Sequence, residues 1–203
     1  MNIDTLALPG EFETVKSSLD QLETAQGHSD QVFVEQAVLA HACRGKQLYT
    51  EIGFNLGHSA LVALCADPDI QVVSFELGDH PSTRQACEIL QSAFGQKRLR
   101  VVWGDSTKTV PKEPALGANV IFIDGGHDYQ IALDDLRNME RHAKASDHLL
   151  IMDDVYCEAN WCDGPGRAWH WMRWTKAVTE TSHTSSNPVD GIMTRGFATG
   201  RYL

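Results

Sequence analysis

The 203-residue chain has no apolar run near the roughly 18 to 20 residues that a membrane-crossing helix needs, so no spanning segment and no membrane partner are expected. It also lacks a basic start followed by an apolar stretch. The opening MNIDTLALPGEFETVK has neither, which reads against a secretory leader and for the cytoplasm. There is no CxxC pair. The cysteines, Cys43, Cys65, Cys87, Cys157 and Cys162, are odd in number and irregular in spacing, as expected of reduced, mostly buried thiols rather than a zinc site or disulfide frame. Positive charge is scarce: 17 Lys and Arg stand against 27 Asp and Glu, for a formal charge of −10. The basic residues are dispersed, whereas a nucleic-acid backbone calls for clustered ones, so no nucleic-acid partner is expected. No repeat and no low-complexity segment occurs.

What is present fits a globular protein. The length suits one domain, and 42% hydrophobic residues is ordinary for a packed core. Phe12, Val15, Leu19 and Leu22 recur at helical spacing. After the Gly27-His28-Ser29-Asp30 break, a second apolar-rich helix is predicted over Gln31–Cys43. These form an N-terminal helical cap, residues 1–45, on a single compact domain of residues 46–203. In that domain strand and helix alternate. Strands are predicted at Gln47–Ile52, Gln71–Phe75, Leu99–Trp103, Asn119–Ile123 and His148–Met152. One intervening helix carries Ala86, Cys87, Leu90, Ala93 and Phe94 on its apolar face; another carries Tyr129, Leu133, Leu136, Met139 and Ala143. A Trp-rich helix is placed at about Gly166–Val178, and Val189–Leu203 is read as an antiparallel edge pair. Strands apolar nearly throughout, separated by amphipathic helices, imply a parallel sheet covered on both faces. The fold class is α/β, a doubly wound, Rossmann-like, seven-stranded and mostly parallel sheet with an antiparallel C-terminal edge.

In such sheets ligands bind beyond the carboxyl ends of the strands. The first strand ends in Glu51-Ile52-Gly53-Phe54-Asn55-Leu56-Gly57-His58-Ser59. Gly53 and Gly57 allow a tight turn and a close approach to a ligand, and Ser59 is placed to cap the next helix, although any βα turn favours glycine. The ExGxxxG spacing departs from the GxGxxG dinucleotide fingerprint. A carboxylate at this turn would repel a pyrophosphate but suits a ligand with an ammonium group. Glu76 closes the second strand, where a carboxylate can accept both hydroxyls of a ribose. Asp105 and Ser106 follow the third, where a polar side chain can meet an exocyclic amine. Taken singly, Glu76 reads equally as a solvated loop acid and Asp105 as a helix cap; taken together, the three tips are specific.

The fourth strand runs into Asp124-Gly125-Gly126-His127-Asp128-Tyr129 and the fifth into Asp153-Asp154, one loop, one helix and one strand further on. Carboxylates converging there would repel one another unless they share a cation, and oxygen ligands favour Mg²⁺, then Mn²⁺ or Ca²⁺. The alternative is that Asp124 contacts only cofactor or substrate while Asp153 and Asp154 cap the next segment. Beyond them, Gly164-Pro165-Gly166 reads as a turn opening a helix. The stripe Trp161, Trp169, Trp171 and Trp174 reads as a substrate wall, as core or as a homodimer face. Trp161 and Arg167 are the candidates for substrate contact.

Over residues 47–155 the chain resembles the class I S-adenosylmethionine-dependent methyltransferases. Its IDGGHDY string followed by Asp153-Asp154 is similar to the macrocin O-methyltransferase-like (methyltransferase family 24) group and, more distantly, to catechol O-methyltransferase. The resemblance implies an S-adenosylmethionine cofactor, with Glu51, Gly53, Asn55, Gly57 and Ser59 around its methionine part. It implies Glu76 at the ribose, Asp105 and Ser106 at the adenine, and Asp124 also near the cofactor. It further implies Mg²⁺ on Asp124, Asp153 and Asp154, His127 as general base, and a small-molecule hydroxyl as acceptor. The larger macrolide-modifying relatives carry an additional N-terminal domain, and their further acidic metal ligand has no matched position here. The competing readings are a metal-independent N-, O- or S-methyltransferase, a nicotinamide-dependent oxidoreductase, and a non-catalytic interaction platform.

Overall fold

The computed structural model describes residues 10–22, 33–185 and 196–203. The chain divides into two compact units, Met1–Asp105 and Ser106–Leu203.

In the first unit, α1 (Glu11–Leu19) and α2 (Phe33–Cys43) precede β1 (Leu48–Ile52), α3 (His58–Ala66), β2 (Gln71–Glu76), α4 (Pro81–Phe94) and β3 (Leu99–Trp103). The strands lie in the order β3-β2-β1, all parallel, with Ile52 level with Phe75 and Phe75 level with Val102. Residues from His58 to Cys65 are all buried, so α3 has no polar face and is an interior helix. It is enclosed partly by α1, whose Phe12, Val15 and Leu19 face inward. Each such apolar side chain contributes about 1.5–3 kcal/mol when fully buried. Leu22, grouped with them by its spacing, lies beyond the end of α1; Gln31 and Val32, at the start of the second predicted helix, lie outside the described residues.

The second unit holds α5 (Ser106–Thr109), β4 (Val120–Ile123), α6 (Tyr129–Glu140), β5 (Leu149–Met152), α7 (Asp163–Trp174), β6 (Val178–Ser185) and β7 (Gly196–Tyr202). β4 pairs with β5 in parallel, β7 pairs antiparallel with β5, and β6 pairs antiparallel with β7. The strands therefore show the expected pattern: seven among the described residues, mostly parallel, with an antiparallel C-terminal edge.

Three expectations need correction. α7 begins at Asp163, so the Gly164-Pro165-Gly166 turn is its first turn, where proline's missing N–H costs nothing. Val178 belongs to β6, a strand the sequence pattern does not announce, and the expected edge pair is completed by β7, positions 189–195 lying outside the described residues. Cys43, Cys65 and Cys87 are buried thiols, but Cys157 and Cys162 form a disulfide. A short 3-10 turn at Asn160–Cys162 brings their Cα atoms to 5.9 Å, within bridging range. Among the described residues no helix is long and apolar enough to cross a membrane.

Candidate active site

In the first unit the turn after β1 is built against the tip of β2. The Gly53 N–H donates to the Phe75 carbonyl at 2.9 Å, which continues the parallel pairing one residue past β1. Gly57 holds φ +75°, and a Cβ there would stand 2.6 Å from Leu90 Cδ1 and 2.8 Å from Phe54 Cζ, so only glycine fits without displacement. The Glu76 carboxylate joins the two turns. One oxygen accepts the Asn55 N–H at 2.8 Å, and the other accepts the Gly78 N–H at 3.0 Å. A carboxylate offers about four lone-pair sites, so two backbone donors leave capacity for hydroxyls.

Glu51 sits differently from the expectation of a side chain open to an ammonium group. It is fully buried and accepts hydroxyls from Tyr49, Ser59 (2.6 Å) and Ser74 (2.6 Å). Burial raises its pKa above the ordinary carboxylate value, outweighing the three hydroxyl donors. Ser59 thus braces Glu51 within the first turn of α3 rather than capping it; Gly57 holds the N-cap position. At the tip of β3 the Gly104 N–H donates to the Glu76 carbonyl at 2.7 Å, and Asp105 follows it, half-buried. Trp103, which the sequence pattern left inside the strand, lies under the Arg84 guanidinium at 4.3 Å. No sequence signal pairs those two residues.

In the second unit the tips of β4 and β5 open a cleft lined by Asp124, Gly126, His127, Asp153, Asp154 and Pro165, among others. Ser106 opens α5 in this unit, and Asp128 caps α6 by accepting the Gln130 N–H at 2.8 Å. Donor atoms of Asp124, His127 and Asp154 all lie within 4.8 Å of one another. His127 Nε2 is 2.8 Å from Asp154 Oδ2, with the imidazole 40% exposed and the carboxylate 3%. The sequence grouped three carboxylates; the structure gathers two of them with the histidine, and Asp153, also buried, stands outside that group. Asp154 and Tyr156 occupy left-handed conformations (φ +56° and +61°), which for residues other than glycine cost about 1–3 kcal/mol each.

That loop is fastened by its neighbours. The Tyr156 hydroxyl and Trp169 Nε1 each donate to Glu180 at 2.6 Å, and Arg173 lies 3.3 Å from the same carboxylate. Burial alone would raise the Glu180 pKa, but the Trp169 and Tyr156 donors bring it below the ordinary value, while the Tyr156 phenol is pushed up to about 12. Gly164, in the first turn of α7, touches the loop before α6: a Cβ there would stand 2.0 Å from the His127 carbonyl oxygen. Neither Glu180 nor Gly164 was singled out by the sequence; Gly164 at least follows the acidic pair in a Gly-Pro-Gly string.

The tryptophan stripe does not form one wall. Trp169 is fully buried, Trp171 lies under the Arg137 guanidinium, and Trp174 is 80% exposed. Trp161 is exposed on the loop, whereas Arg167 lies over the Tyr129 ring at 4.6 Å and pairs with Asp163 at 3.2 Å.

A methyltransferase-domain family model matches residues 50–155, a span that holds the strand tips from β1 to β5. Among solved structures, the chain is similar to the cofactor-bound Rv0187 from MTB (20% identity, TM-score 0.74, 98% of this chain and 92% of that one). It is similar also to an O-methyltransferase from Bacillus cereus in complex with SAH (19%, 0.67, 98% and 94%). A third is the SAH-bound methyltransferase PaMTH1 from Podospora anserina (14%, 0.69, 97% and 89%). None of the curated proteins matches the chain by sequence. The chain belongs to the methyltransferase-domain family, and its fold is that of the class I S-adenosylmethionine-dependent methyltransferases.

Proposed function

We propose that the chain transfers a methyl group from S-adenosylmethionine to a hydroxyl of a small molecule. The observation that carries this reading is the convergence of Asp124, His127 and Asp154 within 4.8 Å in a family whose fold binds that cofactor. Two of the similar structures are SAH complexes, and one of these is named an O-methyltransferase. S-adenosylmethionine supplies a methyl group on a sulfonium, an intrinsically reactive donor. Glu76 is suited to the ribose hydroxyls, the Gly53–Gly57 turn with Asn55 to the methionine part, and Asp105 with Ser106 to the adenine. Glu51 and Ser59 support that turn from inside.

On the acceptor side a hydroxyl is a poor nucleophile near neutral pH, so a group that takes its proton is needed. With Nε2–H donating to Asp154, His127 leaves Nδ1 as the proton acceptor, held in orientation by the carboxylate. The same three residues fit a divalent ion. Two oxygens and one imidazole nitrogen suit Mn²⁺ or Zn²⁺ better than Mg²⁺, which prefers oxygen alone. Such an ion would lower the pKa of a bound hydroxyl. The two readings compete for His127, which cannot present the same nitrogen to a metal and to Asp154.

Chelation decides between them. In the metal-assisted case EDTA abolishes turnover and Mn²⁺ restores it. In the metal-independent case EDTA has no effect, while His127→Ala lowers turnover by about 10²–10⁴-fold, the usual worth of a general base. In both cases SAH affinity should survive His127→Ala; its loss would assign His127 to the cofactor instead. Absence of any SAH binding to the folded protein would remove the proposal altogether. Both substrate candidates are exposed, Trp161 on the loop and Arg167, with its side chain 60% exposed, over the Tyr129 ring.

A further inference from the structure

The chemistry above makes no use of the Cys157–Cys162 pair, yet the pair touches it. The two cysteines lie five positions apart on the loop between β5 and α7 and are joined in the structure. Cys162 is buried, and its Sγ lies 3.8 Å from Asp154 Oδ1. The other oxygen of that carboxylate, Oδ2, lies 2.8 Å from His127 Nε2. One carboxylate therefore separates the sulfur pair from the imidazole. The remaining cysteines, Cys43, Cys65 and Cys87, are buried thiols without a disulfide partner.

We propose that Cys157 and Cys162 form a redox modification site. It is a dithiol that a small disulfide of the oxidised-glutathione type converts to the internal disulfide, and its state sets how Asp154 holds His127. Access fixes the order of events. Cys157 is half-exposed and Cys162 buried, so the incoming disulfide meets Cys157 first. The Cys157 sulfur bonds to one sulfur of that disulfide as its S–S bond breaks and the first thiol leaves. The Cys162 sulfur then bonds to Cys157, displacing the second thiol. Two cysteine protons leave with the two released thiols, and one disulfide has been exchanged for another.

The coupling to Asp154 follows from donor chemistry. A reduced Cys162 carries an S–H, a weak donor directed at a carboxylate oxygen; a disulfide sulfur carries none. Oxidation thus removes one donor from Asp154 and leaves the imidazole as its partner on that side. It also closes a six-residue ring that carries the exposed Trp161. The significance of this coupling rests on the reading of Asp154 and His127 as the acid–base pair, but the pairing of the sulfurs does not.

The test uses the whole chain, equilibrated with oxidised glutathione or with dithiothreitol, then denatured and alkylated. The expected result is three alkylated cysteines in the first case and all five in the second, with Cys157 and Cys162 recovered in one linked peptide. The imidazole ¹³C–¹H NMR signal of His127, assigned through His127→Gln, should shift between the two forms. In Cys157→Ser it should hold one position whatever the redox buffer, and the half-exposed site makes that variant tolerable to the fold. Five alkylated cysteines after oxidised glutathione, or an unmoved His127 signal, would overturn the proposal. So would a reduced protein that retains one equivalent of zinc through dialysis and loses it in Cys157→Ser, since Asp154, Cys157 and Cys162 would then be a thiophilic metal site. SAH titration of both forms is the control: failure to bind counts against the methyltransferase reading, and leaves the cysteine and imidazole results to stand or fall separately.

Discussion

Glu76 has two backbone N–H groups to hold before any ligand arrives, those of Asn55 and Gly78. A hydrogen bond to a charged group is worth about 1.5–3 kcal/mol, so Glu76→Ala should both loosen the turns and weaken SAH binding at least about tenfold by calorimetry. Glu76→Gln keeps one carbonyl oxygen and should fall between. Glu51 presents the reverse case, a carboxyl whose partners are all hydroxyls inside the protein. Its folded pKa is raised, so the stability it contributes is full below the unfolded carboxylate pKa and is lost as pH rises through the folded one. Glu51→Gln is neutral at every pH, and hydroxyls can turn to suit it. Its melting temperature relative to wild type should therefore rise from pH 5 to pH 9. A constant difference across that range would mean that Glu51 titrates as it would in water.

At the scale of elements, α7 packs its first turn so closely on the loop after β4 that one methyl group has no room. Gly164→Ala places a Cβ against backbone, not against a side chain that could swing away. The expected cost is about 1–3 kcal/mol in thermal unfolding, with turnover falling further than SAH affinity because the displaced segment carries His127. Equal losses of both would show a general loosening. Elements also explain what the sequence could and could not disclose. β3 is met at its predicted ends and the other parallel strands within a residue, because buried strands need continuous apolar residues and leave a plain signal. β6 escapes because VTETSHTS has no apolar alternation; it is a strand by virtue of its pairing with β7. The strand-tip rule points to Glu76, Asp124, His127 and Asp154, which the structure places at the tips of β2, β4 and β5 or on the loops that follow them. It could not tell that Glu51 turns inward, since that depends on its hydroxyl partners Tyr49, Ser59 and Ser74.

For the molecule as a whole, acid is the condition that should unfold it. His142 is buried, contacts the Val110 carbonyl at 3.1 Å, and has its pKa lowered by burial. A depressed histidine contributes stability that is present above its unfolded pKa, about 6.5, and lost as pH falls toward the folded one. Glu180 adds a second loss lower down: its folded pKa lies below 4.5, so its contribution fades as pH drops through the acid range. Chemical denaturation at a series of pH values should show stability declining below about pH 6.5 and again below about pH 4.5. His142→Gln should flatten the first decline and leave the second.

β7 is the latest strand in sequence among the described residues, yet it lies between β5 and β6 rather than at the rim. Its Tyr202 hydroxyl reaches the Leu136 carbonyl at 2.7 Å, and its Tyr202 N–H meets His148 Nε2 at 3.0 Å. During synthesis, then, the second unit must wait with β5 and β6 unjoined until Gly196–Tyr202 has cleared the ribosome. The nascent chain carries an open sheet edge for that interval, the period in which it is most in need of a chaperone.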